Sequence, residues 1–176
     1  MAASSGGVAS PSVVSRNALV ATVDFARVGR AAARFSEEEL AHLSARTLHA
    51  MPYAAVRERL PDDLGEAFWL AVRGNLTRLA DTAIWADVVR GPIAPRIEEP
   101  AFLSDAAKAL PSEPWTEATW KAWTSALSAA SGRKGRALFH PLRLALTAQD
   151  NGPEMARLLP LIGRAKARAR LEGEAA

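Results

Sequence analysis

The chain has 176 residues, 49% hydrophobic and 23% charged, a globular composition sufficient for one compact domain or two small subdomains with a buried core. It has no cysteine, which excludes disulfides and thiolate metal sites, and no apolar run approaching the roughly 20 residues of a membrane span. The net charge of +3 is unevenly spread: residues 1–60 carry +2, residues 61–130 carry −4 and residues 131–176 carry +5, so the basic end is where a polyanion is expected to dock.

The amino terminus lacks the cationic start and continuous apolar core of a secretory signal, and the cytoplasm is the expected compartment. Its first 15 residues are rich in Ala, Ser and Gly, with only Val8, Val13 and Val14 to bury, and residues 1–17 read as a disordered leader. Ser36 followed by Glu39 is a capping box opening a helix with Leu40, Leu43, Leu48 and Met51 at helical spacing, stopped by Pro52. A short helix around Tyr53, Val56 and Leu60 follows. From Leu64, the residues Phe68, Trp69, Val72, Leu76 and Leu79 read as one long apolar stripe, and Ile84, Trp85, Val88 and Val89 as a further helix ending near Gly91-Pro92. The proline-rich stretch from Gly91 to Pro100 reads as an extended connection.

Helices then resume. Phe102, Leu103, Ala106, Ala107 and Leu110 make one, and Thr116 caps another that carries Trp120, Trp123 and Leu127. Three more are expected from Pro141 to Thr147, with Pro141 in a first turn, from Pro153 to Ile162, and from Arg164 to Leu171. No stretch shows sustained strand alternation, so the expected fold is all-α, a two-part α-helical bundle with subdomains at 18–95 and 96–176. Trp69, Trp85, Trp120 and Trp123 lie on helical stripes and are expected in the core; Trp115, beside Pro114, is left open.

The stretch from Ser131 to Thr147 joins a cationic glycine turn, Gly132-Arg133-Lys134-Gly135-Arg136, to an apolar helix carrying Arg143. On composition alone the cluster is a solvated turn, and Arg143 either caps a neighbouring helix, pairs with Asp150, or presents its planar donor head to a base edge or phosphate. Gly-x-x-Gly also occurs in KH domains, but that module needs a sheet. Arg27 and Arg30 have two open readings, a subdomain junction or a contact with RNA. His49, near Tyr53 and Asp24, reads as a structural residue at a helix end, with no nucleophile beside it. No catalytic constellation, cofactor signature or metal-ligand spacing is present, so no catalytic, cofactor or metal residue is assigned.

Several segments in order carry a likeness: Val23-Asp-Phe-Ala-Arg-Val-Gly-Arg30, Leu48-His49-Ala50-Met51-Pro52-Tyr53, Phe68-Trp-Leu-Ala-Val-Arg-Gly-Asn-Leu76, Trp115 to Trp123, Pro141-Leu142-Arg143 and Leu158-Leu-Pro-Leu-Ile-Gly163. With these the chain resembles the carboxy-terminal anticodon-binding region of bacterial glutamyl-tRNA synthetase, a class I aminoacyl-tRNA synthetase. The resemblance implies a helical anticodon-binding cage that recognises the anticodon arm of glutamate tRNA. It implies tRNA contacts at Arg133, Lys134, Arg136 and Arg143, and at Gly152, Pro153 and Met155 in the turn Gly152-Pro153-Glu154-Met155.

The family's two ATP-binding signatures, of His-Ile-Gly-His and Lys-Met-Ser-Lys-Ser type, do not occur here, and the only histidines are His42, His49 and His140. The chain is therefore not expected to charge tRNA alone; a catalytic synthetase domain acting in trans is a second expected partner. The family usually continues Leu-Thr-Gly and a basic residue where this chain has Leu146-Thr147-Ala148-Gln149, and Ser44 stands at a usual asparagine. These departures keep an alternative open, a protein-interaction remnant or gene fragment without tRNA binding.

Overall fold

A computed structural model describes residues 16–22 and 36–176, all helix, turn and connection with no strand among them. Most of the expected leader, and Asp24, Arg27 and Arg30, lie outside the described residues; Arg16 and Asn17 open the first helix. In chain order the helices are α1 (Arg16–Thr22), α2 (Glu37–Ala50), α3 (Glu66–Val72), α4 (Thr82–Arg90), α5 (Pro100–Lys108), α6 (Glu117–Ser131), α7 (Arg136–Thr147), α8 (Met155–Ile162) and α9 (Arg164–Leu171). Among the described residues no helix is long and apolar enough to cross a membrane.

The helix starts follow local chemistry. The Ser36 hydroxyl accepts from the Glu39 N–H at 3.2 Å, and three glutamates fill the first turn of α2, where the helix dipole favours them. At α6, Thr116 Oγ1 accepts from Ala118 N–H, while Thr119 Oγ1 accepts in return from Thr116 N–H. Pro100 stands at the first position of α5, where its missing donor costs nothing.

The long stripe expected from Leu64 to Leu79 is two elements. α3 stops at Val72 and the chain tightens into a 3-10 turn over Arg73–Asn75. Gly74 and Asn75 are poor helix formers, and the Met51 carbonyl anchors the segment by accepting from Trp69 Nε1 and Arg73 Nη1, both at 2.9 Å. Leu76 is buried even so, from an extended backbone.

The second correction concerns α7. It begins at Arg136, five residues before Pro141, so the proline lies inside the helix rather than in its first turn. An interior proline strips the carbonyl four residues back of its N–H partner. That carbonyl is Ala137's, and Arg133 Nη1 supplies the missing donor at 3.2 Å.

One core runs from Leu48 to Leu171. α8 packs against α3, α4 and α6, and α9 against α5 and α7. Trp69, Trp85 and Trp123 are buried as expected, and each fully buried Leu or Phe contributes about 1.5–3 kcal/mol. Trp120 departs from expectation, being only part-buried beside an open cleft. Trp115 is also part-buried, its indole N–H donating to the Pro111 carbonyl.

The cations of α9 are largely spent inside the fold. Arg170 is fully buried: Nη1 donates to the carbonyls of Val88 and Leu146, both at 2.8 Å, and Nε to that of Ala176 at 2.7 Å. Burial lowers its pKa to about 10, which leaves it charged at neutral pH. Lys166 Nζ donates to the Val89 carbonyl and Arg164 Nε to that of Pro111. Two helix ends, those of α4 and α7, are thus capped by α9.

Replacing Arg170 with Ala leaves all three carbonyls without their side-chain donor and is expected to cost about 3 kcal/mol or more in denaturant unfolding, at roughly 1 kcal/mol or more per buried unsatisfied group. Ala148 has φ +56°, a left-handed conformation at the end of α7 that favours glycine. Ala148→Gly is therefore expected to raise unfolding free energy by about 1 kcal/mol, measured in the same titration.

Candidate nucleic-acid interface

α6, α7 and the start of α8, with Glu154 just before it, border an open cleft of about 350 Å³, lined by Trp120, Phe139, Arg143, Glu154, Met155 and Ala156. Phe139 and Arg143 are four residues apart on α7 and share a face. The rings of Trp120 and Phe139 lie 6.2 Å apart between centroids, tilted by 35°, and Trp123 braces Trp120 edge-on at 5.7 Å. Phe139 is 43% exposed, an unusual position for so large an apolar side chain.

Arg143 closes the inner wall. Its Nη2 donates to the Pro153 carbonyl at 2.9 Å and so ties α7 to the turn before α8. Its Nη1 is enclosed without a partner, and desolvation lowers the guanidinium's pKa. Of the open readings for Arg143, the pairing with Asp150 is not formed. Asp150 instead accepts from Arg96 Nη1 at 2.7 Å and lies 3.3 Å from His140 Nε2. The Arg96 hydrogen bond, with His140 assisting, holds its carboxyl below the usual range.

Gly152, Pro153 and Met155 stand together as expected, but only Met155 lines the cleft. Pro153 is buried and serves through its carbonyl. Gly152 has φ +149°, and a Cβ there would lie 2.0 Å from the Trp85 ring, so α4 sets how closely the turn approaches.

The glycine turn sits at the other end of α7. Arg133 is occupied: it pairs with Glu99, stacks 4.4 Å over the Phe102 ring and satisfies Ala137. Glu99 keeps a carboxyl below its usual range through that pair. Lys134 is exposed; Arg136 is exposed with Nη2 3.3 Å from His140. His140 also lies 3.7 Å from Glu98, which makes this an ion-pair network spanning the α4–α5 connection, α7 and the α7–α8 turn. His49 Nε2 lies 3.0 Å from the Leu76 carbonyl, a structural contact.

Phe139, Glu154 and Ala156 join the site without having been singled out from the sequence, and Trp120 comes to it from the expected core. Starting α7 at Arg136 is the signal that places Phe139 beside Arg143.

Residues 94–174 match the model of the anticodon binding domain family. Over 169 residues the chain is 52% identical to glutamate–tRNA ligase 2 of Methylorubrum populi and 54% identical to that of Beijerinckia indica, in each case over 93% of this chain and 38% of the relative. The chain belongs to the anticodon-binding region of the glutamate–tRNA ligase family. It spans well under half the length of these ligases. A glutamate tRNA ligase from Elizabethkingia meningosepticum has the same fold over 90% of this chain and 36% of its own, with a TM-score of 0.72 at 20% identity.

Within this anticodon-binding region, Gly152→Ala is expected to displace the turn from Trp85 and loosen the Arg143–Pro153 bond. A melting temperature lowered by several degrees, as for a loss of about 1–3 kcal/mol, would register the clash, and an unchanged one would refute it.

Proposed function

We propose that the chain binds the anticodon arm of glutamate tRNA, in the cytoplasm, and recognises it without catalysing aminoacylation itself. The cleft carries the reading. The rings of Trp120 and Phe139 offer stacking surface, with Arg143 and Glu154 bordering the same cleft. Anticodon nucleotides are single-stranded, and unstacked bases bind to such platforms while their edges meet polar groups. Membership of the anticodon-binding region and the relatives' names as glutamate–tRNA ligases support the same assignment.

Phosphates would meet Lys134 and Arg136 at the start of α7, which are exposed, with Arg133 more firmly engaged by Glu99. Arg143 acts as a positioning residue through its bond to Pro153. The sequence carries neither ATP-binding signature, so chemistry at the acceptor end falls to a catalytic synthetase domain, supplied in trans or by further chain.

The test is binding of the chain to glutamate tRNA and to an anticodon-substituted version at two salt concentrations. Affinity is expected to fall with salt and with anticodon substitution, and Phe139→Ala to lose roughly tenfold or more, the worth of one base–aromatic stack. Weak binding that ignores both the anticodon and Phe139 would overturn the reading in favour of a protein-interaction remnant.

A further inference from the structure

His140 Nε2 has two neighbours at one distance, Arg136 Nη2 and Asp150 Oδ1, each 3.3 Å away. One ring nitrogen cannot serve both, because a guanidinium only donates and a carboxylate only accepts. A bare Nε2 accepts from Arg136 and sets its lone pair against Asp150. A protonated Nε2 donates to Asp150 and sets its hydrogen against Arg136. Across the ring, Nδ1 lies 3.7 Å from Glu98 Oε2, within ion-pair reach, so a neutral imidazole with its proton on Nδ1 suits Glu98 and Arg136 together.

The two carboxylates are held at the ring from outside it. Arg96 donates to Asp150 at 2.7 Å and lies 3.7 Å from Glu98. The Arg96 bond keeps the Asp150 carboxyl below its usual range, so this acceptor stays ionised in mild acid. Charges on the helices packed against α7 are engaged elsewhere. Asp105 and Lys108 of α5 pair with each other, and Glu117 of α6 lies near Arg157. On α9, Lys166 and Arg170 serve carbonyls and Arg168 pairs with Glu172. Arg136 is the loose member of the cluster: it is exposed and pairs with no carboxylate among the described residues.

We propose that His140 is a proton-operated exchange that trades Arg136 for Asp150. Histidine is the side chain that gains charge between neutral and mildly acid pH. The added proton occupies the Nε2 lone pair, both ring nitrogens then donate, to Asp150 and to Glu98, and Arg136 faces a like charge and leaves. It joins Lys134 on the exposed edge at the start of α7. The consequence for binding rests on the anticodon-arm reading above: a released Arg136 meets phosphate, so affinity for RNA rises as pH falls from 8 to 6.

The experiment uses the full chain in two measurements. Nitrogen-15 NMR of the imidazoles, with His140→Gln to assign the signals, is expected to show Nε2 bare and Nδ1 protonated at pH 8, and both protonated at pH 6. Affinity for glutamate tRNA at low salt is expected to rise about threefold between the same two pH values, the worth of one exposed ion pair. His140→Gln and Arg136→Ala are each expected to lose that rise, and Arg136→Ala, an exposed change, also weakens binding at both pH values. A proton on Nε2 at pH 8, no rise in a chain that binds, or a rise that persists in either variant overturns the exchange. No binding of tRNA at either pH overturns the proposed function instead, and the protonation pattern of the ring still decides the exchange.

Discussion

Three carbonyl oxygens from three parts of the chain converge on the one guanidinium of Arg170, and the geometry of the cleft depends on that convergence. Val88 lies in the last turn of α4, Leu146 in the last turn of α7, and Ala176 belongs to the tail, which also pairs backbone to backbone with Ile93. A helix end buried without donors is unstable, and here a single planar head satisfies two of them. α7 carries Phe139 and Arg143; α4 carries Trp85, the ring on which Gly152 rests. Fixing both helix ends to one residue therefore fixes the two walls against which the α7–α8 turn is set.

The same economy explains where the positive charge goes. A sum of +5 over residues 131–176 suggests an open basic surface, yet Arg170 and Lys166 cap helix ends, Arg164 binds the Pro111 carbonyl and Arg168 pairs with Glu172. Arg133 repairs the carbonyl that Pro141 leaves without a donor. What remains exposed near α7 is Lys134 and Arg136, a short cationic edge rather than a broad patch. Recognition on such a surface relies on stacking and base edges more than on charge, and its salt dependence should be correspondingly modest.

Much of the architecture was legible because it is local. The Ser36 and Thr116 caps, the all-α class and the burial of Trp69, Trp85 and Trp123 follow from spacing and side-chain type. The departures arise where a side chain serves a backbone group outside its own element. Nothing in the spacing around Pro141 announces that Arg133, outside the helix, supplies the donor an interior proline removes, so the sequence reads as a helix beginning at the proline. Nothing near Val72 announces that Met51 holds the end of α3, so the stripe reads on to Leu79. Trp120 obeys helical spacing as faithfully as Trp123, and only the fold reveals that its face borders open space. Arg143 and the Gly152–Met155 turn were legible through family resemblance, whereas Phe139 and Glu154 needed the correct start of α7 and the cleft itself.

Among the described residues, two buried side-chain nitrogens lack partners, Arg170 Nη2 and Arg143 Nη1. An unmet charged donor costs at least about 1–3 kcal/mol. At Arg170 the cost is offset within the fold, because the same side chain satisfies three carbonyls. The Arg143 guanidinium makes only the Pro153 bond, and the residue borders the cleft. Stability alone gives no reason to keep a half-satisfied guanidinium there. Nη1 is closed off from solvent by the surrounding protein, so an acceptor from outside reaches it only when a wall of the cleft moves. The bond to Pro153 thus sets the turn before α8 against α7 and leaves one donor of the same guanidinium unmet.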